Sequence, residues 1–584
     1  MLAALAPLAL AILISGLDDL VIDIVWLVSW LARRLRPHPP MFPPGPRQLD
    51  SAPKHRIAIL LPLWREHEVI ARMLEHNVAS IRYADYHIFA GAYPNDELTQ
   101  AAVRSACDRF GNVHLALCPH DGPTSKADCL NWIYQHIGLY EEQTQTRFDV
   151  LLMHDAEDLI HPDELRWVNF YSTRYDFIQT PVLALRTPLH AFTHGVYCDE
   201  FAEYHTRDMT VRPLLGGFLP SAGVGTAFRR EALRKLAESS SNRVFETDAL
   251  TEDYENGLKL FRLGCSQAFV PLSKAGKAAE DYMATREFFP KKFRAALRQR
   301  TRWVMGIALQ GWERYGWSGG FGEVYWLWRD RKGLIANPLS FASNVVFVYG
   351  IASGMWTRAG RLASHLAMMT ICLQLLRLAV RMTCSARVYG IVFALFVPFR
   401  AVYANLLNSA ATLVAIARYV EARLRGQPLK WLKTEHAFPH RAALLAHKRR
   451  LGEILISSGA IHAAALEFAL NAKPPEMRLG EYLLETGQLD ESSLYKALGL
   501  QQGLPVVDPD VWQIPRRVAR SLPEHVARRW RVLPFRVADG ALHVGGPEAP
   551  SMAMHESLRE YTSLELRFHL IAPLRFEELQ AALL

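Results

Sequence analysis

The stretch RFDVLLMHDAED, residues 147–158, joins a short apolar run, Val150 to Met153, to a cluster of carboxylates. Four apolar residues bounded by polar ones read as a strand buried on both faces of its sheet. In open α/β sheets, ligands sit beyond the carboxyl ends of the strands. Asp155, Glu157 and Asp158 fall at that end, so one stretch indicates both a fold class and a place for chemistry.

Working outward, HRIAILLPLW (55–64) reads as another buried strand, ending in Pro62. EHEVIARMLEHNVASI (66–81) reads as an amphipathic helix and HIFAGAY (87–93) as a second strand. From about Lys54 to Trp328 short apolar runs alternate with helical stretches, the pattern of an α/β sheet. Three clusters in it carry polar chemistry. Asp155 and Glu157, two residues apart on a tight loop, can share one hard divalent cation with a diphosphate. Read alone, they are a solvated acidic turn capping the helix at Pro162-Asp163-Glu164. Thr251-Glu252-Asp253 precedes the amphipathic YENGLKLFRLG (254–264); read alone, it is a helix start with acids in its first turn. Gln299-Arg300-Thr301-Arg302-Trp303 lies in a basic run before an apolar block, and alone is a juxtamembrane helix with an interfacial tryptophan.

Half of the 584 residues are hydrophobic, too many for an ordinary soluble protein and too few for a pure transporter. The formal charge is +8, but the basic residues cluster beside apolar stretches, as at Arg33-Arg34 and Arg329 to Lys332. That placement follows the positive-inside rule and excludes a nucleic-acid partner. Seven scattered cysteines without a C-x-x-C pair indicate a reduced compartment and no zinc site. The first 36 residues have the length of a tilted span, interrupted by Asp18, Asp19 and Asp23. A mid-bilayer carboxylate costs roughly 2.5–3.5 kcal/mol, so these aspartates are expected near a surface or facing neighbouring helices. Leu334 to Trp356 is an uncharged membrane helix. Leu362 to Leu376 continues into LLRLAVRMTCSAR, where Arg377 and Arg381 share a face and either snorkel or lie along the interface. Val388 to Ala417 holds a single charge, Arg400, and Pro398 is expected to kink or break it. The basic residues that follow place the chain's end in the cytoplasm, which requires an even number of crossings after the soluble region.

The order and spacing of the motifs add to their separate readings. Strand-Pro-x-x-x-Glu, then Lys126-Ala127 with Leu130-Asn131, then Asp-x-Glu, Thr-Glu-Asp and Gln-x-x-Arg-Trp beside a membrane helix resemble the family 2 glycosyltransferases. More narrowly, they resemble the membrane synthases of cellulose, hyaluronan and poly-N-acetylglucosamine. The resemblance covers about Lys54 to Trp328 and implies a GT-A-type nucleotide-sugar transferase domain over residues 50–330. It implies that Glu66 and Asp96 contact the nucleobase and ribose, and that Lys126 approaches the phosphates. Asp155 and Glu157 would hold Mg²⁺ or Mn²⁺ on the donor diphosphate. Glu157 stands where the family has aspartate, which leaves Asp158 as an alternative ligand. Asp253, with Glu252 beside it, would be the general base, and Gln299, Arg302 and Trp303 would bind the diphosphate and the acceptor's end. SAGVGTAFRREAL (221–233) resembles the family's acceptor loop. Such transfer inverts the anomeric carbon in one displacement.

Beyond membrane and interfacial helices at 331–420 and a linker at 421–446, an internal repeat opens a C-terminal domain, residues 447–584. RLGEILISSGAIHAAALEFALNAK begins at Arg450, and RLGEYLLETGQLDESSLYKALGLQ at Arg478, an offset of 28 residues. Read alone, the copies are paired helical hairpins with glycines at helix ends. Their spacing, and the LPVVDPD…LPFRVADGALHVGGPE that follows, resemble the N-terminal domain of type II secretion ATPases in its cyclic-di-GMP-binding form. That resemblance implies a dinucleotide site at Arg450, Leu451, Gly452, Leu455, Gly459, Leu466 and Leu470, and at Leu479, Gly480, Leu483, Gly487, Leu494, Leu498 and Gln501. Lys473 departs from the glutamine expected at the end of the first copy. The whole architecture is similar to the bacteriophage N4 adsorption protein B family. It implies an inner-membrane enzyme that polymerises an exported or surface polysaccharide from a UDP-sugar, by analogy a UDP-N-acetylhexosamine. Its partners would be the growing glycan acceptor, the lipid bilayer, and an outer-membrane export partner or a homo-oligomer. The alternatives are a catalytically weak signalling or docking protein and a non-processive transferase to a lipid-linked acceptor.

Overall fold

Apolar runs expected as strands pair into one seven-stranded sheet in the computed structural model. It describes residues 2–35, 44–240, 243–274, 282–354, 360–427, 429, 450–458, 460–474, 476–502, 504–538 and 540–584. Strands β1 (Ile57–Pro62), β2 (Tyr86–Ala92), β3 (Val113–Leu117) and β4 (Val150–Met153) run parallel. Then come β5 (Phe177–Gln179), β6 (Val182–Ala184), β7 (Thr226–Arg229), β8 (Gln267–Phe269) and β9 (Thr285–Glu287). The sheet order is β3-β2-β1-β4-β7-β5-β8, with β7 antiparallel to both neighbours, while β6 and β9 form a separate parallel pair. Ala58, Leu60, Phe89, Leu151 and Phe228 are buried in one core under the helix Lys126–Thr144. β1 and β4 both end at the same rim, and the polar residues after them meet there.

Among the described residues, three helices are long and apolar enough to cross a membrane: Gly333–Ala352, Arg361–Tyr389 and Val397–Leu424. The N-terminal helix, Leu2–Leu35, carries its aspartates against basic partners, as the cost of a bare charge in lipid demands. Asp18 accepts from Tyr325 Oη at 2.7 Å, from Lys332 Nζ at 2.6 Å and from Arg329. Asp23 accepts from Arg207 Nη1 at 2.6 Å. Arg377 and Arg381 lie on one unbroken helix and both donate to Glu203, at 2.5 and 2.6 Å. They are held by a carboxylate of the helix Phe192–Glu203 and do not extend alone toward water. Between the last two long helices the chain turns at Gly390, where φ is +90°, and Pro398 occupies the first turn of Val397–Leu424, where a missing N–H costs nothing. Proline therefore starts a helix here. Arg400 is buried and donates to Asp199 at 2.6 and 2.9 Å.

The chain divides into two compact units, the second comprising His440–Leu584 together with Leu74–Ser80. Its repeat folds as four helices, Leu451–Ser457, Ala463–Ala472, Leu479–Glu485 and Glu491–Gln502. The glycines admit close packing in register: a Cβ on Gly452 would fall 2.6 Å from Leu466, and one on Gly480 would fall 2.9 Å from Leu494. The remainder combines short helices, among them Glu524–Trp530 and Pro573–Leu583, with a sheet of β10 (Leu533–Ala538), β11 (Ala541–Gly546) and β12 (Glu565–Leu570), antiparallel then parallel.

Candidate active site

Each cluster reaches the cleft by a local rule. The loop after β4 delivers Asp155 and Glu157, and the loop after β1 delivers Glu66. Ser125 caps the helix Lys126–Thr144 by accepting from Asp128 N at 3.3 Å, which sets Lys126 at its first position. Gln299, Arg302 and Trp303 share a face of the helix Phe293–Trp303 because they are three and four residues apart. Arg300 points the other way, to Asn408 Oδ1 at 2.5 Å and Glu200 Oε2 at 2.8 Å. One cleft is consequently lined by Glu66, Lys126, Asp155, Glu157, Glu252, Asp253, Gln299, Arg302 and Trp303. Its volume is about 1050 Å³ including the part open to solvent.

Lys126 is the electrostatic centre. Its Nζ lies 2.6 Å from Asp155 Oδ1 and 3.5 Å from the Gly223 carbonyl. Burial works against the ammonium, but Asp155, Glu252 and Asp253 outweigh it and raise its pKa. Burial, then the Asp253 charge, pushes the Glu252 carboxyl up to about 7, and burial also raises Asp253, whose Oδ1 accepts from Tyr254 N at 2.8 Å. Asp158 turns inward instead. Fully buried, it accepts from the Asp155 amide at 2.9 Å and contacts His154 Nδ1 at 2.9 Å, shaping the loop that presents Asp155. Asp96 does not line the cleft; its Oδ2 accepts from the Arg65 amide at 2.6 Å, where Arg65 holds φ of +54°. Among the described residues no three side chains form a ready metal cage. Asp155 and Glu157 nonetheless present hard carboxylate oxygens to one cleft, a donor set that fits a divalent cation completed by a diphosphate.

Sequence reading missed several residues of this cleft: Trp64, Tyr93, Thr124, Glu287 and Phe289. Trp64 and Tyr93 meet edge to face at 5.4 Å, and Tyr93 Oη is 2.5 Å from Thr124 Oγ1. Both aromatics follow the carboxyl ends of quoted strands, which was the available signal. Glu287 ends β9, a three-residue strand without a motif; burial and the charges of Asp158, Glu157 and Asp155 lift its pKa well above the carboxylate range.

In the second unit Arg450 and Leu470 are exposed, while Leu455, Leu483 and Leu494 are buried between the repeat copies. Leu451, Leu466, Leu479 and Leu498 pack partly buried against them, Gly487 adopts φ of +65°, and Gln501 sits half-buried at the end of the second copy. Lys473 donates to the carbonyls of Pro474 and Met477 at 3.3 and 3.1 Å. Gly459 lies outside the described residues.

Comparison with known proteins places these two units. The family model "Glycosyltransferase like family 2" matches residues 53–306, and the MshEN domain model matches residues 502–584, beginning after the repeat. A mannosyltransferase from Pyrobaculum calidifontis, solved with GDP-Man and Mn²⁺, is 17% identical over 68% of this chain and 99% of its own, with a TM-score of 0.42. MshE solved with cdg is 28% identical over 24% of this chain and 100% of its own, with a TM-score of 0.21. Bacteriophage adsorption protein B of Escherichia coli strain K12 is 34% identical over 97% of this chain and 79% of the relative, as is bacteriophage N4 adsorption protein B of Escherichia coli O157:H7. With that identity sustained along nearly its whole length, the chain belongs to the bacteriophage N4 adsorption protein B family and is a membrane protein with a family 2 glycosyltransferase domain.

Proposed function

We propose that the chain polymerises a surface or exported glycan from a nucleotide sugar, inverting the anomeric carbon, at the cytoplasmic face of a bacterial inner membrane. The observation that carries this reading is the convergence of Lys126, Asp155, Glu157, Glu252, Asp253, Gln299, Arg302 and Trp303 on one cleft. A single displacement needs one base, and Asp253 takes the proton of the acceptor hydroxyl. Burial raises both carboxyls, and the charge of Asp253 opposes a second charge on Glu252 beside it. Lys126 and Arg302 oppose the charge that develops on the departing nucleotide diphosphate. Mg²⁺ or Mn²⁺ on Asp155 and Glu157 would neutralise that same charge. Glu66 and the Trp64–Tyr93 corner receive the nucleoside, and Trp303 stacks on the acceptor sugar. A UDP-N-acetylhexosamine is the proposed donor, and phage adsorption, named in the relatives, suits a glycan at the cell surface.

We further propose that cyclic-di-GMP binds the second unit and controls transfer. The MshEN match and the doubled Gly–Leu packing support this. Membranes containing the full chain, supplied with radiolabelled UDP-sugars with and without cyclic-di-GMP, should build polymer, and Asp253→Asn should build none. A product of one sugar on lipid would make the enzyme non-processive, and equal turnover by Asp253→Asn would remove that base. Calorimetry of residues 440–584 with cyclic-di-GMP should give saturable heat; none at high ligand removes the sensor.

A further inference from the structure

The helix that starts at Glu252 runs from Asp253 directly into Tyr254, which is buried. The Tyr254 hydroxyl donates to Asp330 Oδ2 at 2.7 Å, and Arg212 Nη2 donates to the same oxygen at 2.5 Å. Arg212 is fully buried, donates to the Tyr204 hydroxyl at 3.2 Å, and lies over the rings of Phe218 and Trp326 at 4.9 and 4.6 Å. Gly217 makes the room: a Cβ there would fall 2.1 Å from Trp326 Cδ1. Asp330 thus closes a polar knot inside an aromatic setting, directly behind the residue that bears the base. The buried charge of Arg212 holds its partners strictly, because losing the half-buried Asp330 leaves it without a carboxylate.

Asp330 belongs to the helix Phe321–Arg331, which ends just before the membrane helix Gly333–Ala352. Its neighbours are tied to the N-terminal helix. Lys332 Nζ is 2.6 Å from Asp18 Oδ2, and Arg329 Nη2 is 3.1 Å from Asp19 Oδ1. One short segment therefore grips the N-terminal helix with its cations and the turn of Tyr254 with its carboxylate.

We infer that Asp330 is a positioning residue for sugar transfer, fixing the turn that carries Asp253 against the membrane helices through Tyr254. It does not line the cleft, so it acts on the reaction only through that turn. The inference rests on Asp253 serving as the base. A reacting group displaced by about 1 Å loses on the order of a hundredfold in rate.

The test uses the full chain in membranes and the sugar nucleotide that the wild type turns over from a panel of UDP- and GDP-sugars. Asp330→Asn and Tyr254→Phe should each lower kcat roughly ten- to hundredfold. Donor KM, and UDP affinity by calorimetry, should stay within about twofold, because only the acceptor-activating step is disturbed. The double variant should fall no further than the worse single one, since both remove one link. A packing role would instead lower the melting temperature, change KM with kcat, and add in the double variant. Unchanged kcat in both single variants, or additive losses, overturns positioning by Asp330 while Asp253 stands. Full turnover by Asp253→Asn, or a wild type silent on the whole panel, overturns the underlying reading and this inference with it.

Discussion

Gly223 lies directly against Asp253: a Cβ on Gly223 would fall 2.5 Å from Asp253 Oδ2 and 3.5 Å from Lys126 Nζ. Gly223 also holds φ of +79°, a conformation that side chains oppose. Both facts require glycine here, and both act on the proposed base. Gly223→Ala should therefore cut turnover by about a hundredfold or more through displacement of the carboxylate, with UDP binding largely kept. Turnover assays and UDP calorimetry on the same membranes check it; a variant with normal turnover shows that Asp253 can move without consequence.

Glu203 receives Arg377 and Arg381, and its carboxylate is buried at 4% side-chain exposure. Arg207 Nη1 approaches it at 3.3 Å as well. Removing the acid would leave Arg381 without its carboxylate in a low-dielectric setting, while Arg207 and Arg377 keep Asp23. Glu203→Ala should cost about 3–5 kcal/mol of stability. Glu203→Gln, which keeps the shape and accepts one donor, should cost less. Thermal unfolding in detergent reads both, and equal melting temperatures for all three proteins would show that the arginines find water.

Legibility in the sequence followed the range over which each residue finds its partners. Asp155 and Glu157 were readable because a strand end and a loop suffice to place them. Gln299, Arg302 and Trp303 were readable because helix geometry alone puts them on one face. Glu287 was not, because β9 is three residues long and finds its pairings on β6 and on Leu159, more than a hundred residues earlier in the chain. The antiparallel insertion of β7 between β4 and β5 was hidden for the same reason. The N-terminal aspartates could be expected to face partners on energetic grounds, but Arg207, Arg329, Lys332 and Arg377 lie far along the chain and only the fold names them. Pro398 misled in detail: proline breaks a helix or starts one, and Gly390 decides for starting.

Chelation gives a prediction independent of any substitution. Asp155 Oδ1 is engaged by Lys126, yet Asp155 and Glu157 both face the cleft. If a divalent cation joins them to the diphosphate, EDTA should abolish transfer and Mn²⁺ or Mg²⁺ should restore it. UDP affinity measured without metal should fall at least tenfold, and Asp155→Asn should blunt the response to added metal. Transfer that survives exhaustive chelation would assign charge neutralisation to Lys126 and Arg302 alone.

In the second unit, His543 Nδ1 and His569 Nε2 lie 2.9 Å apart on adjacent strands, with Phe535 edge-on to the His569 ring at 5.0 Å. One nitrogen donates and the other accepts, so protonating both rings breaks the bond. Burial first, then the charges of His543, Arg567 and Arg536, lowers the His569 pKa to about 4 from 6.5. In the unfolded chain this imidazole takes its proton near pH 6.5, whereas the folded unit resists until about pH 4. The unfolded state then binds more protons throughout that window, so stability is full above it and declines as the pH falls through it. Urea midpoints for residues 440–584 should drop between pH 7 and 4. His569→Gln should flatten that drop, separating it from the titration of exposed carboxylates. A wild-type midpoint constant to pH 4 would mean that the imidazole pair accepts both protons without loss.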